Sequence, residues 1–227
     1  QLHKRLFLIV NPISGQGAAS RKAVRVTELA RTAGYSPTRI DLHASGDGMR
    51  TARELQDEEA DLVAIGGDGT FNEILNGAHP RRHRLLFLPC GTVNVVAKEF
   101  HIPASPDRWF KAMDTGDERV LDSAVCNDRR FFIVAGGGLD AYATRLVAME
   151  RDGHLKFSDW WMPAIRAVLH YRDYDIRVHA EGFDPSVRYN YVVIGNCATY
   201  GGPLVFASEA KPDDGLIDVC AMRFESM

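Results

Sequence analysis

No cysteine pair in this sequence has the C-x-x-C spacing, because Cys90, Cys126, Cys197 and Cys220 lie far apart. Neither a zinc site nor a disulfide framework is suggested, and a reducing cytosol is the natural setting. No apolar run approaches the roughly 18 residues that a spanning helix needs, and residues 6–10 are too short for a signal-peptide core. The expected location is cytoplasmic, and any membrane association is peripheral. Neither sign of charge dominates: the formal net charge is −3, so no basic field exists to recruit nucleic acid. There is no G-x-x-x-x-G-K-[ST] loop, which argues against an ordinary P-loop NTPase. The eight histidines show no metal-ligand spacing. There is also no internal repeat and no low-complexity tract. No initiator methionine precedes Gln1, and Met227 closely follows an apolar, strand-like stretch at 216–222, so both ends read as trimmed.

What is present is enough for a sizeable core: 227 residues, of which 45% are hydrophobic. The first half alternates short apolar runs with helical patterns, as strand–helix units around a parallel sheet do. Strands are expected near 6–10, 39–42, 62–65 and 85–88. Between them, Ala19, Ala23, Val26, Ala30 and Ala33 recur at helical spacing before Gly34, and further helices are expected near 49–56 and 71–76. Past about residue 120 the rhythm changes to longer strands closed by turn residues. Hairpins are expected for 120–126 against 131–135 around Asn127-Asp128, and for 174–180 against 187–194. A helical insert at 139–150 and 157–171 separates them. The expected fold class is α/β: a doubly wound, Rossmann-like domain over 1–119, then an antiparallel β-rich domain with a helical insert over 120–227.

The most informative stretch is Asp61-Leu-Val-Ala-Ile-Gly66-Gly67-Asp68-Gly69-Thr70-Phe71-Asn72-Glu73, a buried strand that breaks into glycines and re-emerges as a helix. Glycines let backbone amides approach an anion, and a helix N-terminus adds unsatisfied N–H groups and partial positive charge. This pattern is a phosphate cradle. Asp68 is its odd member, since a carboxylate beside phosphate repels it unless Mg²⁺ or an incoming hydroxyl proton lies between. The bland alternative is a tight turn with Asp68 as a helix cap. A second loop, Pro89-Cys90-Gly91-Thr92-Val93-Asn94, also leaves a strand and opens a helix, so a parallel sheet would place it on the same edge. A third, Asn11-Pro12-Ile13-Ser14-Gly15-Gln16-Gly17, follows the first strand. Its Gly15-x-Gly17-x-x-Ser20 pattern is only a near miss to a dinucleotide fingerprint.

The segments NPISGQG, GGDGTFNEILNG, LPCGTVN, GGGLDA and IGNCATYGGPLVFASEAKPDDGLIDV together resemble the bacterial diacylglycerol kinase and sphingosine kinase family in order and spacing. G-G-D-G alone also resembles NAD kinases and phosphofructokinases; the continuation through Asn72-Glu73 and Pro89-x-Gly91-Thr92-x-Asn94 looks like the lipid kinase branch. The resemblance implies ATP held between a nucleotide-binding domain and a β-rich lipid-binding domain. Its nucleotide-binding set would be Asn11, Gly66, Gly67, Asp68, Gly69, Thr70, Asn72, Gly91 and Thr92, with Asp68 the catalytic candidate. It further implies a Mg²⁺ of structural or allosteric role on the Asp214 carboxylate and the backbone carbonyls of Lys211 and Leu216, an oxygen-only set that suits this ion. Without the resemblance, Pro212-Asp213-Asp214-Gly215 reads as a simple turn. Asp140 would contact the lipid hydroxyl, although an Asp capping the following helix would look the same. Two departures stand out. Leu42 occupies the position, counted back from Gly46-Asp47, where the family commonly has a nucleotide-contacting Thr, with neighbouring His43 a substitute. The family's later Asp-Gly-Glu motif, often assigned as general base, has no counterpart here.

Other tempting residues take blander readings. Arg81-Arg82-His83-Arg84 could greet anionic headgroups but reads as a solvated loop before a strand. Trp160-Trp161-Met162 could enter lipid, or pack the inserted helices. Arg145, Arg151 and Lys156 default to the surface. The expected activity is phosphoryl transfer from Mg-ATP to a membrane lipid hydroxyl, with diacylglycerol the leading acceptor. The alternatives are an NAD kinase-like transferase with a soluble acceptor, and a nucleotide-binding regulatory module without catalysis. Oligomeric state is left open, a homodimer included.

Overall fold

The structure, a computed structural model, describes residues 5–149, 165–166, 174–200 and 204–224. The chain divides into two compact units, the first comprising Gln1–Val120 with Asn127–Phe131 and the second Leu121–Cys126 with Phe132–Met227.

The first unit is built on β1 (Arg5–Val10), β2 (Ser36–Asp41), β3 (Ala60–Gly66) and β4 (His83–Pro89), all parallel in the order β2-β1-β3-β4. Every residue of β3 is buried, because a parallel strand covered on both faces needs a continuous apolar run rather than an alternating one. Helix α1 (Ala18–Thr32) presents Ala19, Ala23, Val26 and Ala30 to one face of the sheet. There they meet Leu6, Leu8, Val10, Val63, Ile65 and Leu88, together with Trp109, Phe110 and Met113 of α5 (Pro106–Thr115). On the other face lie α2 (Asp47–Glu54) and α3 (Asp68–Gly77), with Phe71 of α3 tilted against Phe87 of β4 at 5.4 Å. The short α4 (Val95–Glu99) follows β4. The parallel, doubly wound reading of this half holds, and the order reversal between β1 and β3 opens a crevice at the strands' C-terminal ends.

Past residue 120 the chain differs from expectation in its pairing. The chain reverses at Asn127 and Asp128, whose φ values of 48° and 64° suit a tight hairpin turn. The flanking strands are short, β5 (Ala124–Cys126) and β6 (Arg129–Phe131), and residues 120–123 form none. The expected hairpin of 174–180 with 187–194 reduces to one bridge between Ile176 and Tyr189. The reason is that β8 (Tyr191–Gly195) is a central strand: β7 (Val134–Gly138) and β11 (Asp218–Met222) pair antiparallel with its two edges, leaving none for 174–180. A two-residue pair, β9 (Thr199–Tyr200) and β10 (Leu204–Val205), completes the sheet structure described. Helix α6 (Leu139–Met149) matches the first part of the expected insert. The second part, 157–171, lies outside the described residues except for a helical 165–166, and so do Arg151, Lys156 and Trp160-Trp161-Met162. Arg81 and Arg82 are exposed as a loop, but His83 is buried and opens β4. Arg84 is not solvated either: Nε and Nη2 both donate at 2.7 Å to the wholly buried Asp61 carboxylate.

Candidate functional site

Three loops of the first unit meet at the C-terminal edge of its sheet. The loop after β1 is tied to the β3–α3 region by the Asn11 N–H, which donates to Ile65 O at 2.9 Å, and by Asn11 Nδ2, which donates to Thr70 Oγ1 at 3.4 Å. Gly15, Gln16 and Gly17 then take positive φ of 60°, 55° and 81°, a left-handed turn that glycine adopts without strain and that leads the chain into α1. Gly15 has a second reason to be glycine, since a Cβ there would lie 2.5 Å from Cys90 O. The loop after β4 is joined to the one after β3 by the Cys90 N–H, which donates to Gly66 O at 2.7 Å. Beyond that bond the two backbones touch: a Cβ on Gly91 would stand 2.7 Å from Gly67 Cα. The structure therefore brings together Asn11, Gly66, Gly67, Asp68, Gly69, Thr70, Asn72, Gly91 and Thr92, all on these loops or the first turns of α3. Asn72 is half-buried and Thr92 exposed.

What this edge offers chemically is a set of N–H donors. Gly67, the N-cap of α3, has no side-chain cap bond, so the leading N–H groups of this ten-residue helix have no intrahelical acceptor. Asp68, which could have capped them, faces elsewhere: its Oδ1 accepts the Val96 N–H of α4 at 3.1 Å. The capping alternative is thus met in a different form, with Asp68 capping the next helix along the edge rather than its own. The Gly91 N–H is already used, donating to Asn94 Oδ1 at 2.8 Å, while Asn94 Nδ2 donates back to Gly91 O at 2.7 Å. Asn94 itself sits at φ 52°, a left-handed position that asparagine tolerates better than most residues. Lys22 of α1 reaches the same edge and donates from Nζ to Pro89 O at 2.7 Å. Burial pushes the neighbouring Cys90 thiol up, against a smaller opposing pull from Lys22, so it stays protonated and serves packing rather than nucleophilic attack.

The loop after β2 completes the edge. Leu42 is buried, with its N–H donating to Val10 O at 2.8 Å, so its side chain belongs to the core and not to a ligand. His43 is exposed. The His43 and Ala44 N–H groups both donate to Asp47 Oδ2 at 2.9 Å, and they, His43 first, hold the Asp47 carboxyl below the usual carboxylate range. Two residues that sequence reasoning left without a role, Glu73 and Asn94, make the bonds that fix these loops. Their presence in the quoted motifs was the available signal.

The second unit carries the candidate cation turn. Asp214 is exposed, and its Oδ1 accepts the Leu216 N–H at 3.0 Å, an Asx turn that aims the 211–216 backbone. Asp122 holds this turn from behind: its N–H donates to Pro212 O at 2.6 Å and its Oδ2 accepts the Gly215 N–H at 2.8 Å. Asp122 is in turn placed by buried Asn196, whose Nδ2 donates to the carbonyls of Asp122 and Phe132 at 3.0 and 2.8 Å. Among the described residues, no group of three or more His, Cys, Asp or Glu side chains could hold a metal. Asp140 is the second residue of α6, and its side chain lies outside what is described.

Comparison with known proteins agrees with this architecture. Residues 5–126, more than half of the chain, match the family described as the diacylglycerol kinase catalytic domain. Residues 133–226 match the YegS C-terminal NAD kinase beta sandwich-like domain. A diacylglycerol kinase of Bacillus subtilis (strain 168) is 28% identical over 97% of this chain and 74% of its own length. A "Probable lipid kinase YegS-like" protein of Chromohalobacter salexigens is 31% identical over 96% of this chain and 70% of its own. Among solved structures, a diacylglycerol kinase from Bacillus anthracis strain Sterne superposes with a TM-score of 0.74 at 22% identity, covering 97% of this chain and 74% of that one, a likeness of fold. With residues 5–126 matched to the family model and a relative at 31% identity aligned over 96% of this chain and 70% of its own length, the chain belongs to the diacylglycerol kinase catalytic domain family.

Proposed function

We propose that this lipid kinase family member transfers the γ-phosphoryl group of ATP to a lipid hydroxyl, with diacylglycerol the leading acceptor. The observation that carries the reading is the uncapped N-terminus of α3, flanked by Gly66, Gly67 and Gly69 and meeting the Gly91 loop at the sheet's C-terminal edge. Phosphoryl transfer asks a protein mainly to position phosphates and offset their charge, and fixed N–H donors do both without reorganising. In this reading the 66–70 backbone and Thr92 bind the phosphates, Asn11 keeps Thr70 in place, and Asn72 lines the same turn. Asp68 would manage charge at the reacting phosphate or take the hydroxyl proton. Held through one oxygen by Val96 N–H, its carboxylate is pre-positioned for either role.

The 211–216 turn fits a hard divalent cation. Its donors are all oxygens, namely the Asp214 carboxylate and the carbonyls of Lys211 and Leu216, and the Asx turn and Asp122 hold them from within the protein. With only one direct carboxylate, the turn suits a structural Mg²⁺ that would brace this part of the chain. Asp140 remains the proposed contact to the lipid hydroxyl.

The test is a transfer assay with labelled ATP and Mg²⁺, supplying diacylglycerol in mixed vesicles or NAD⁺ in solution, alongside calorimetry with ATP and NADH. We expect ATP binding, labelled lipid only when vesicles carry diacylglycerol, and no transfer to NAD⁺. Transfer to the soluble acceptor with indifference to vesicles would replace the reading with an NAD kinase-like one. ATP binding without transfer to any lipid would leave a regulatory nucleotide-binding module.

A further inference from the structure

Helix α3 does more at the crevice than present its own N-terminus. Helix α2 begins at Gly46, a left-handed N-cap that supplies no side-chain cap. Its leading N–H groups are satisfied from outside: Glu73, on the second turn of α3, accepts the Gly46 N–H on Oε1 at 2.9 Å and the Gly48 N–H on Oε2 at 3.1 Å. The Ser45 hydroxyl adds a longer donation to Oε1 at 3.4 Å. One carboxylate thus caps a helix to which it does not belong, and its charge also sits favourably at that helix's positive end. Packing allows no slack in the arrangement. A Cβ on Gly48 would come within 3.0 Å of Glu73 Cβ, and one on Gly77, at the far end of α3, within 2.8 Å of Ala52 Cβ. The 43–46 loop is therefore gripped on two sides, by Asp47 within its own segment and by Glu73 from α3. At its leading end α3 does the same for α4 through Asp68.

We propose that Glu73 is a positioning residue of the nucleotide crevice, holding the 43–46 loop in register with the 66–70 loop so that one rigid helix sets the spacing of both crevice walls. This rests on the nucleotide-binding reading given above. Glu73 itself touches no phosphate in this proposal; it acts through the two loops it joins. Losing it should weaken ATP binding because the walls must then be brought into register at the moment of binding.

The test measures ATP affinity of the 227-residue chain by calorimetry for wild type, E73Q and E73A, with R84Q as the stability control. Arg84 pairs with buried Asp61 at the opposite ends of β3 and β4, so R84Q lowers stability without touching the loops. Each protein is assayed at a temperature where its melting curve shows it fully folded. We expect E73A to bind ATP about five- to thirtyfold more weakly, as the loss of a cap predicts. E73Q keeps one acceptor oxygen and loses the other, so it should fall between wild type and E73A, and it remains informative should E73A not fold. R84Q should melt lower yet bind as wild type does. E73Q and E73A binding within twofold of wild type would overturn the proposal, as would R84Q losing as much affinity as E73A, since the effect would then be stability alone. Failure of the wild-type chain to bind ATP would instead remove the nucleotide reading on which the proposal stands.

Discussion

The two units hold their candidate sites by different means. In the first, the loops after β1 and β3 hang from strands whose residues are almost all buried, and backbone and side-chain bonds stitch the loops of this edge to one another, among them Asn11 to Ile65, Cys90 to Gly66, Val96 to Asp68, and Gly46 to Glu73. In the second, the Asp214 turn is exposed and, among the described residues, is held by Asp122, beside a sheet whose strand β11 is only half-buried. A phosphate site built from N–H groups works only if those groups are already aimed, because each one that must be re-aimed on binding subtracts from affinity. A cation turn can be looser, since the ion itself organises its oxygen ligands. The difference predicts that substitutions in the glycine loops of the first unit act on catalysis and nucleotide affinity, and that those in the Asp214 turn act on cation-dependent stability.

The largest effect should come from Asp68, where two roles coincide and can be separated. D68N keeps an oxygen that can accept the Val96 N–H, so the fold and the α4 cap should survive, while the charge is lost. We expect lipid phosphorylation to fall by about 10²–10³-fold with little change in melting temperature. D68A removes charge and cap together, and should also lower stability by roughly 1 kcal/mol. Turnover of D68N above about a tenth of wild type would assign Asp68 to architecture alone.

Gly91 tests the stitching itself. In G91A the added methyl meets Gly67 Cα, a backbone atom that cannot swing aside, and it also crowds Asn94 Oδ1. The two glycine loops must part by several tenths of an ångström. We expect ATP affinity to drop by about tenfold and stability by roughly 1–3 kcal/mol. A G91A protein with wild-type ATP affinity would mean that contact between the loops is incidental to the nucleotide.

How much of this was legible follows from which interactions leave a trace in sequence. The parallel sheet did, because strands buried on both faces must be apolar runs, and 6–10, 62–65 and 85–88 all fell inside observed strands. The glycine loops did too, since close approach and positive φ both select glycine, as at Gly15. Helix α5 was missed even though Ser105-Pro106 is a strong start signal and Trp109, Phe110 and Met113 recur at helical spacing. The 174–194 hairpin went wrong because local alternation cannot tell an edge strand from a central one, and β8 spends both edges on β7 and β11. Within the site, what could not be read were the caps given to other helices. Glu73 meets Gly46 across 27 positions and Asp68 meets Val96 across 28, and capping patterns are recognisable only when cap and helix are adjacent in the chain.

The smallest effect, and the one that most sharpens the contrast between the units, should come from Asp214. If the 211–216 turn holds Mg²⁺, the ion binds the folded chain and not the unfolded one. Adding millimolar Mg²⁺ should then raise the melting temperature of wild type by a few degrees, corresponding to about 1–2 kcal/mol at concentrations ten- to thirtyfold above Kd. D214N retains an oxygen to accept the Leu216 N–H, so the Asx turn should persist, but the only carboxylate among the proposed ligands is gone. We expect D214N to lose the Mg²⁺-dependent increment while melting like metal-free wild type, with ATP affinity within twofold because the loops proposed to bind phosphate belong to the other unit. D122N removes instead the carboxylate that takes the Gly215 N–H, and should lower the metal-free melting temperature as well. Equal Mg²⁺ stabilisation of wild type and D214N would take the cation away from this turn, and a large loss of ATP affinity in D214N would show that the two sites are not held independently.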